Sequence, residues 1–334
     1  LSRGVPGTAL PVAVDAMGGD RAPAEIVAGA KAAAEQLGVE VLLVGDPDRL
    51  GDTGKLPVLA CGEVIDMHDD PASSVRTKKD SSLVRAAEAV RDGRASAMVS
   101  AGNTGAAMAA ALLRMGRVKG LARPAIATPI PVPGSNPTVL LDAGANAECS
   151  PAWLVQFARM GAAFYRQRFG VADPRVGLLS IGEEPSKGTP LVKEAHALLA
   201  GGAGGPGVRF VGNVEGRDLM TDAVEVIVTD GFTGNVVLKT VEGAMRFAMG
   251  AVLAAFDTDE ATRAAGAVVL PPLLDLAGEL DPDTYGGAVL LGTRGVCVIS
   301  HGSSSARAVV NAVRVASNAV DADLVGLLGA ALTT

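Results

Sequence analysis

Short apolar runs alternate with longer stretches of helical period along most of this chain. Leu10–Asp15 is the first run. It ends in the polar turn Asp15-Ala16-Met17-Gly18-Gly19-Asp20, after which Pro23 to Leu37 repeats its apolar positions with the period of a helix. Val39–Gly45 reads as a second buried strand and Ser82–Arg91 as a helix. Ala97–Ser100 predicts a strand that feeds Ala101-Gly102-Asn103-Thr104-Gly105, with a helix over Ala106–Met115 opening on that turn. The design returns at Thr138–Asp142, with the turn Ala143-Gly144-Ala145-Asn146 and a helix over Pro151–Phe169. It returns again at Val176–Ile181 with the loop Gly182–Gly188, and at Val224–Thr229 with the turn Asp230–Asn235 and a helix through Phe256. Val296–Ile299 adds a further strand.

Strands that alternate with helices predict an α/β fold, a twisted, mostly parallel sheet flanked by helices. Ligands of open parallel sheets sit beyond the carboxyl ends of the strands, so five of these loops are expected to converge on one cleft. The 334 residues are expected to form a single domain (1–334) of two lobes on one continuous sheet. Gly201–Gly207 is the nearest approach to a linker and reads as a surface loop between a helix and a strand.

Aromatic residues make up 3% of the chain and hydrophobic ones 49%, so the core must be built from Ala, Val and Leu. No apolar run approaches the roughly 20 residues of a spanning helix. Leu1 to Pro11 lacks the basic-then-apolar order of a signal peptide, and the expectation is a cytoplasmic protein. A net charge of -7 speaks against nucleic acid as the main partner. Cys61, Cys149 and Cys297 are widely spaced and, with His68, His196 and His301, match no zinc pattern; they read as reduced core thiols, and no metal is expected.

The strand-following turns are rich in glycine, which permits positive φ and close approach of a ligand to backbone N–H groups, and a helix opening beside them adds its positive dipole end. Gly18-Gly19, Gly102-Asn103-Thr104-Gly105 and Gly234-Asn235 are therefore either plain turns or anion sites. Neither a Walker A pattern nor a dinucleotide fingerprint is present, and no Gly-x-Ser-x-Gly elbow offers a serine nucleophile. No organic cofactor is expected.

The segments VAVDAMGGD (12–20), KKDSSLVRAAEAV (78–90), MVSAGNTGAAM (98–108), LLDAGANAEC (140–149), GLLSIGEEPSKG (177–188), VTDGFTGNVVLKTVEG (228–243) and YGGAVLLGTRGVCVISHG (285–302) closely resemble the phosphate acyltransferases of bacterial phospholipid synthesis. The resemblance spans about residues 11–320. It implies transfer of a fatty acyl group from an acyl carrier protein thioester to inorganic phosphate, giving an acyl phosphate for a glycerol-3-phosphate acyltransferase downstream. It also implies a fold related to isocitrate and isopropylmalate dehydrogenases and to phosphotransacetylase, a homodimer, and peripheral contact with the inner face of the cell membrane through the region matching 241–280.

Such a reaction must hold an anion against an electrophile, stabilise an oxyanion and release a thiolate. Lys187, beside Gly188 in a family motif, is the leading candidate to neutralise phosphate or oxyanion; an exposed loop lysine is the plain alternative. Asn235 either donates to the oxyanion or caps its helix, and Asn103 and Thr104 in the Ser100–Gly105 loop carry the same ambiguity. Asp15, Asp20, Asp142 and Asp230 would repel phosphate directly and are expected to hold the loops, together with Gly18, Gly19, Ser100, Asn146, Thr233 and Gly234 as the substrate-binding set. His301, after the Val296–Ile299 strand, is a candidate proton donor to the departing sulfur.

An acidic carrier protein needs a basic surface to dock. Arg114, Arg117, Lys119 and Arg123 form a stretch without an acid, and Arg85, Arg91 and Arg94 are candidates to extend it; an ordinary solvated face is the alternative. In 241–280 six acids stand against Arg246 and Arg263, a poor match for an anionic leaflet, and its apolar side suits dimerisation. Competing readings are coenzyme A-dependent transfer to phosphate, a nicotinamide-dependent dehydrogenase of the same superfamily, which lacks its metal-binding acids here, and a membrane scaffold without activity.

Overall fold

A computed structural model describes residues 10–333; the absence of a leader pattern in 1–9 falls outside them. The N-terminal half runs β1 (Val12–Asp15), α1 (Ala24–Leu37), β2 (Val41–Gly45), β3 (Val58–Ala60), α2 (Pro71–Thr77), α3 (Ser82–Arg91), β4 (Ala97–Ser100) and α4 (Thr104–Ala110), which continues as a π turn to Met115. β5 (Ala125–Ile130), β6 (Thr138–Leu141), α5 (Pro151–Phe169), β7 (Arg175–Leu179), α6 (Pro190–Ala200), β8 (Arg209–Val214) and β9 (Val226–Val228) follow. Then come α7 (Gly231–Ala255), α8 (Glu260–Glu279), β10 (Ala288–Leu291), β11 (Val296–Ile299), α9 (Ala306–Asp321) and α10 (Leu324–Thr333). Helix starts follow capping chemistry: Ser81, Ser150, Asp230 and Ser305 each accept a hydrogen bond from the backbone N–H three residues on.

All strands join one 11-stranded sheet in the order β3-β2-β1-β4-β11-β10-β5-β6-β9-β7-β8. Neighbours are parallel in the outer stretches, while β11–β10, β10–β5 and β5–β6 are antiparallel. The carboxyl ends of β1, β4 and β11 therefore lie on one edge of the sheet, and those of β6, β9 and β7 on the opposite edge. The five loops expected to converge on one cleft therefore leave the sheet from two opposite edges. A strand pair in the middle of the sheet reverses the second half.

That reversal also explains where a cleft forms. Parallel neighbours need crossover connections, usually helices, and these cover the sheet. One face is sealed by α1, α5, α9 and α10, with Phe157, Phe164 and Tyr165 of α5 fully buried. The other carries α3 and α4 over the first half and the start of α7 over the second. The hairpins β5–β6 and β10–β11 close through short turns without helices, so this second face stays open over β5 and β10, between α4 and α7.

Among the described residues no single helix is long and apolar enough to cross a membrane. The expected helical segment at 241–280 is present as most of α7 and all of α8. It is weakly anchored: of the 25 residues of α7 only Gly231, Gly234 and Leu238 are buried, and of α8 only Gly266.

Candidate functional site

The loops of the first half lock one another. Ser100 Oγ donates to Asp15 Oδ2 at 2.7 Å and accepts from the Gly102 N–H at 3.1 Å. The Asp20 N–H donates to Gly302 O at 2.8 Å, and the Ser300 N–H to Ser100 O at 2.9 Å. A Cβ on Gly18 would stand 2.5 Å from Asp15 Oδ2 and 2.9 Å from Gly102 N. The first glycine of the Gly18-Gly19 pair thus serves a backbone crossing. Asn103 is fully committed: its Oδ1 caps α4 at the Ala106 N–H (3.0 Å), and its Nδ2 donates to Met67 O (3.0 Å) and Asp69 O (3.2 Å). Asp15 and Ser100 are buried beneath these loops.

On the opposite edge Asp142 does the corresponding work. Its buried carboxylate accepts from the N–H groups of Ile126, Gly144, Ala145 and Asn146 and from Asn146 Nδ2, at 2.8 to 3.1 Å. Asn146 Nδ2 also donates to Pro124 O at 2.8 Å. Asp230 accepts from the Thr233 N–H and hydroxyl, both at 2.8 Å, and so is the cap of α7. This corrects the capping alternative for Asn235: it is the fifth residue of α7, exposed, with its side chain against Gly144.

Residues from both halves meet in a cavity of about 100 Å³ over β5 and β10. Thr104 from α4, Ser300 and His301 after β11, and Asn235, Leu238 and Lys239 from α7 line it, with Ala143, Ile126 and Thr128. The cavity has room for a small oxyanion or a few waters. Ser300 Oγ and Thr128 Oγ1 are buried and have no hydrogen-bond partner among the described residues. Buried hydroxyls are ordinarily satisfied, so a pair of unmet ones in one cavity marks a place for a polar ligand. Glu242 stands between His301 Nε2 (3.3 Å) and Lys239 Nζ (2.9 Å) at the cavity's edge.

Asn235, His301 and Thr104 are thus brought together, while Lys187 lines none of these cavities. It is exposed on the Gly182–Gly188 loop after β7, on the same edge as Asp142 and Asp230 but outside β9 in the sheet order. That loop is braced where Asn213 Nδ2 donates to Glu184 O at 2.9 Å and Asn213 Oδ1 meets His196 Nδ1 at 2.9 Å. Thr128, Ser300, Lys239 and Glu242 escaped the sequence reading. Lys239 and Glu242 stand within a quoted motif, but Thr128 had no signal beyond its strand.

Burial pushes the thiols of Cys61, Cys149 and Cys297 up to about 12, leaving them protonated core groups. Burial also raises the Asp15 carboxyl above its ordinary 3.8. A group whose pKa rises on folding favours the fold below its unfolded pKa and loses that advantage as pH climbs through the folded one. The stability of the protein relative to an Asp15→Asn variant is therefore expected to fall as pH rises from 3.8. Urea unfolding of both proteins across that range measures it, and a difference that grows with pH would show the buried carboxylate to be favoured.

Sheet order and central reversal define an α/β fold, and the chain superposes over nearly its whole length on several solved structures. A phosphotransacetylase from Streptococcus pyogenes superposes with a TM-score of 0.63 at 18% identity, covering 94% of this chain and 95% of that one. A branched-chain phosphotransacylase from Enterococcus faecalis V583 gives 0.59 at 16%, covering 93% and 99%. At such identities the likeness establishes the fold alone. Sequence establishes the family: residues 10–326 match the fatty acid synthesis protein family. Proteins named phosphate acyltransferase from Desulforudis audaxviator (strain MP104C) and Pelotomaculum thermopropionicum (strain DSM 13744 / JCM 10971 / SI) are 46% and 48% identical, over 95% and 93% of this chain and 94% and 91% of theirs. The chain belongs to this family of phosphate acyltransferases. It is an acyltransferase, and phosphate is its acceptor.

Proposed function

We propose that the chain takes a long-chain fatty acyl group from an acyl carrier protein thioester and passes it to inorganic phosphate, supplying acyl phosphate for phospholipid synthesis. The observation that carries this reading is the cavity with the unmet hydroxyls of Thr128 and Ser300 beside Thr104, Asn235, Lys239 and His301. Hydroxyls donate to phosphate oxygens without adding charge, and the Lys239 ammonium offsets the anion. A phosphate oxygen attacks the thioester carbon, the carbonyl electrons become an oxyanion within reach of the Asn235 amide, and collapse expels the thiolate. The C–O bond forms, the C–S bond breaks, and the sulfur takes a proton. His301, which lines the cavity with its Nε2 3.3 Å from Glu242 Oε1, supplies that proton. Lys187, one strand further out, attracts the incoming anion.

The carrier's docking face is narrower than the sequence pattern. Arg85, Arg91, Arg94 and Arg114 pair with Asp80, Glu88 and Asp92. Arg117, Lys119 and Arg123 remain exposed. Arg123 stacks over Trp153 (5.3 Å to the ring centroid) at the rim of a 240 Å³ cavity that also touches Gly105 and Asn146, which gives a route from this surface towards the reaction centre. We read the chain as one acyltransferase domain whose α7–α8 outer face, with Phe247 and Val268 each 78% exposed, meets a second copy rather than an anionic leaflet.

Purified protein incubated with palmitoyl carrier protein and radiolabelled phosphate is expected to yield labelled acyl phosphate. No label in acyl phosphate would overturn the reading. Equal turnover of palmitoyl-coenzyme A would favour the coenzyme A-dependent alternative instead.

A further inference from the structure

The 100 Å³ cavity is too small for a fatty acyl chain, yet it adjoins a second space of about 790 Å³, with Lys239 and His301 lining both. One wall of this trough is the inward face of α7, where Met245, Met249 and Val252 follow one another at helical spacing, with Ala277 and Leu280 at the end of α8 beside them. From Lys239 to Val252 the helix rises about 20 Å. The acyl chains of one leaflet fill about 15 Å, half of a hydrocarbon core of about 30 Å.

We propose that this trough seats the fatty acyl chain of the donor, its thioester end at Lys239 and His301 and its methyl end towards Val252. The proposal rests on the acyl-transfer reading above and adds where the chain lies and what limits its length. Three features support a hydrocarbon occupant. The floor is rich in methionine, whose flexible thioether packs against apolar shapes of varying length. Part of the lining charge is occupied by partners: Asp281 on the facing wall pairs with Arg307 at 2.7 Å, and on α7 itself Glu242 pairs with Lys239 at 2.9 Å, near the end that takes the thioester. Burial and the neighbouring Asp281 raise the Asp283 carboxyl above its usual range, which favours its neutral form beside an apolar ligand. The cavity beside Arg123, at about 240 Å³, has less than a third of the room and lies on the carrier's side.

The test is a donor series from octanoyl to palmitoyl carrier protein, with the full-length protein and its Met249→Trp variant. The indole fills the distal half of the trough, and displacing about two methylenes from apolar contact corresponds to tenfold in kcat/KM. The ratio of palmitoyl to octanoyl kcat/KM is expected to fall at least tenfold. An unchanged ratio with undiminished turnover of both donors overturns the proposal, as does a comparable shift produced by Ala109→Trp in the cavity near Arg123. If Met249→Trp lowers all donors alike, Val252→Phe decides, and an unshifted ratio there overturns it too. Binding of cis-parinaric acid, a fluorescent fatty acid, gives a readout that needs no catalysis. The wild type is expected to bind it and Met249→Trp to weaken binding at least tenfold, whereas equal binding overturns the proposal. Weakened binding in a protein that makes no acyl phosphate from any donor would leave the trough standing and remove the acyl-transfer reading.

Discussion

Asn235→Ala is expected to lower kcat for acyl transfer to phosphate by about 10²- to 10³-fold, the usual effect of removing one oxyanion donor. The expectation comes from comparing the asparagines around the cleft. Asn103 is bound to three backbone groups and Asn146 to Pro124 and Asp142, so both are structural. Asn235 lines the cavity, is exposed, and is relieved of helix capping by Asp230. Its truncation removes no packed group, so stability should stay within about 0.5 kcal/mol of the parent. Steady-state kinetics and urea unfolding of Asn235→Ala and Asn235→Asp separate these effects. Full turnover by Asn235→Asp would show that no donor is needed at that position.

The parallel strands on either side of the centre, the edge strands β3 and β8 excepted, were legible in the sequence because they are continuous apolar runs closed by polar glycine turns. Val12–Asp15, Val41–Gly45, Ala97–Ser100 and Thr138–Leu141 all emerge within two residues of the reading. The centre was not legible. β5 reads AIATPI, and a proline inside a strand argues against a central position, since it cannot donate to the ladder. Pro129 nevertheless sits in register with Val139 of β6 in the middle of the sheet. With β5 and β10 unread, the reversal of the sheet was invisible, and so was the open face it creates. Thr128 and Ser300 become a pair only once β5 and β11 are placed on either side of β10.

The candidate site shows the same division. Aspartates and glycines after strands were legible as loop chemistry, but their roles depend on what the loops cross. Asp15 and Asp142 end their strands alike, yet Asp15 holds the Ser100 hydroxyl while Asp142 gathers backbone N–H groups. Lys187 was the leading candidate and is not in the cavity's lining, because a loop's place in the sheet order cannot be inferred from its residues.

Gly234→Ala is expected to destabilise the protein by about 3 kcal/mol or more and to abolish transfer. A Cβ there would stand 1.9 Å from the carbonyl oxygen of Asp142 and 2.9 Å from its carbonyl carbon. Overpacking commonly costs about 1–3 kcal/mol, and here neither partner can yield easily. Asp142 is fixed by the N–H groups of Ile126, Gly144, Ala145 and Asn146, and α7 is held by the Gly231 N–H on Asn146 O at 2.7 Å. With only three buried residues, α7 has little else to keep it on the sheet, so relief of the clash must lift its first turns. Asn235, Leu238 and Lys239 would then leave the cavity together. Gly243→Ala on the same helix meets nothing within 4 Å, and is expected to stabilise by about 0.5–1 kcal/mol through helix propensity. Denaturant midpoints for the two variants measure the contrast. Similar stability of both would mean that α7 does not rest on the Asp142 carbonyl in solution.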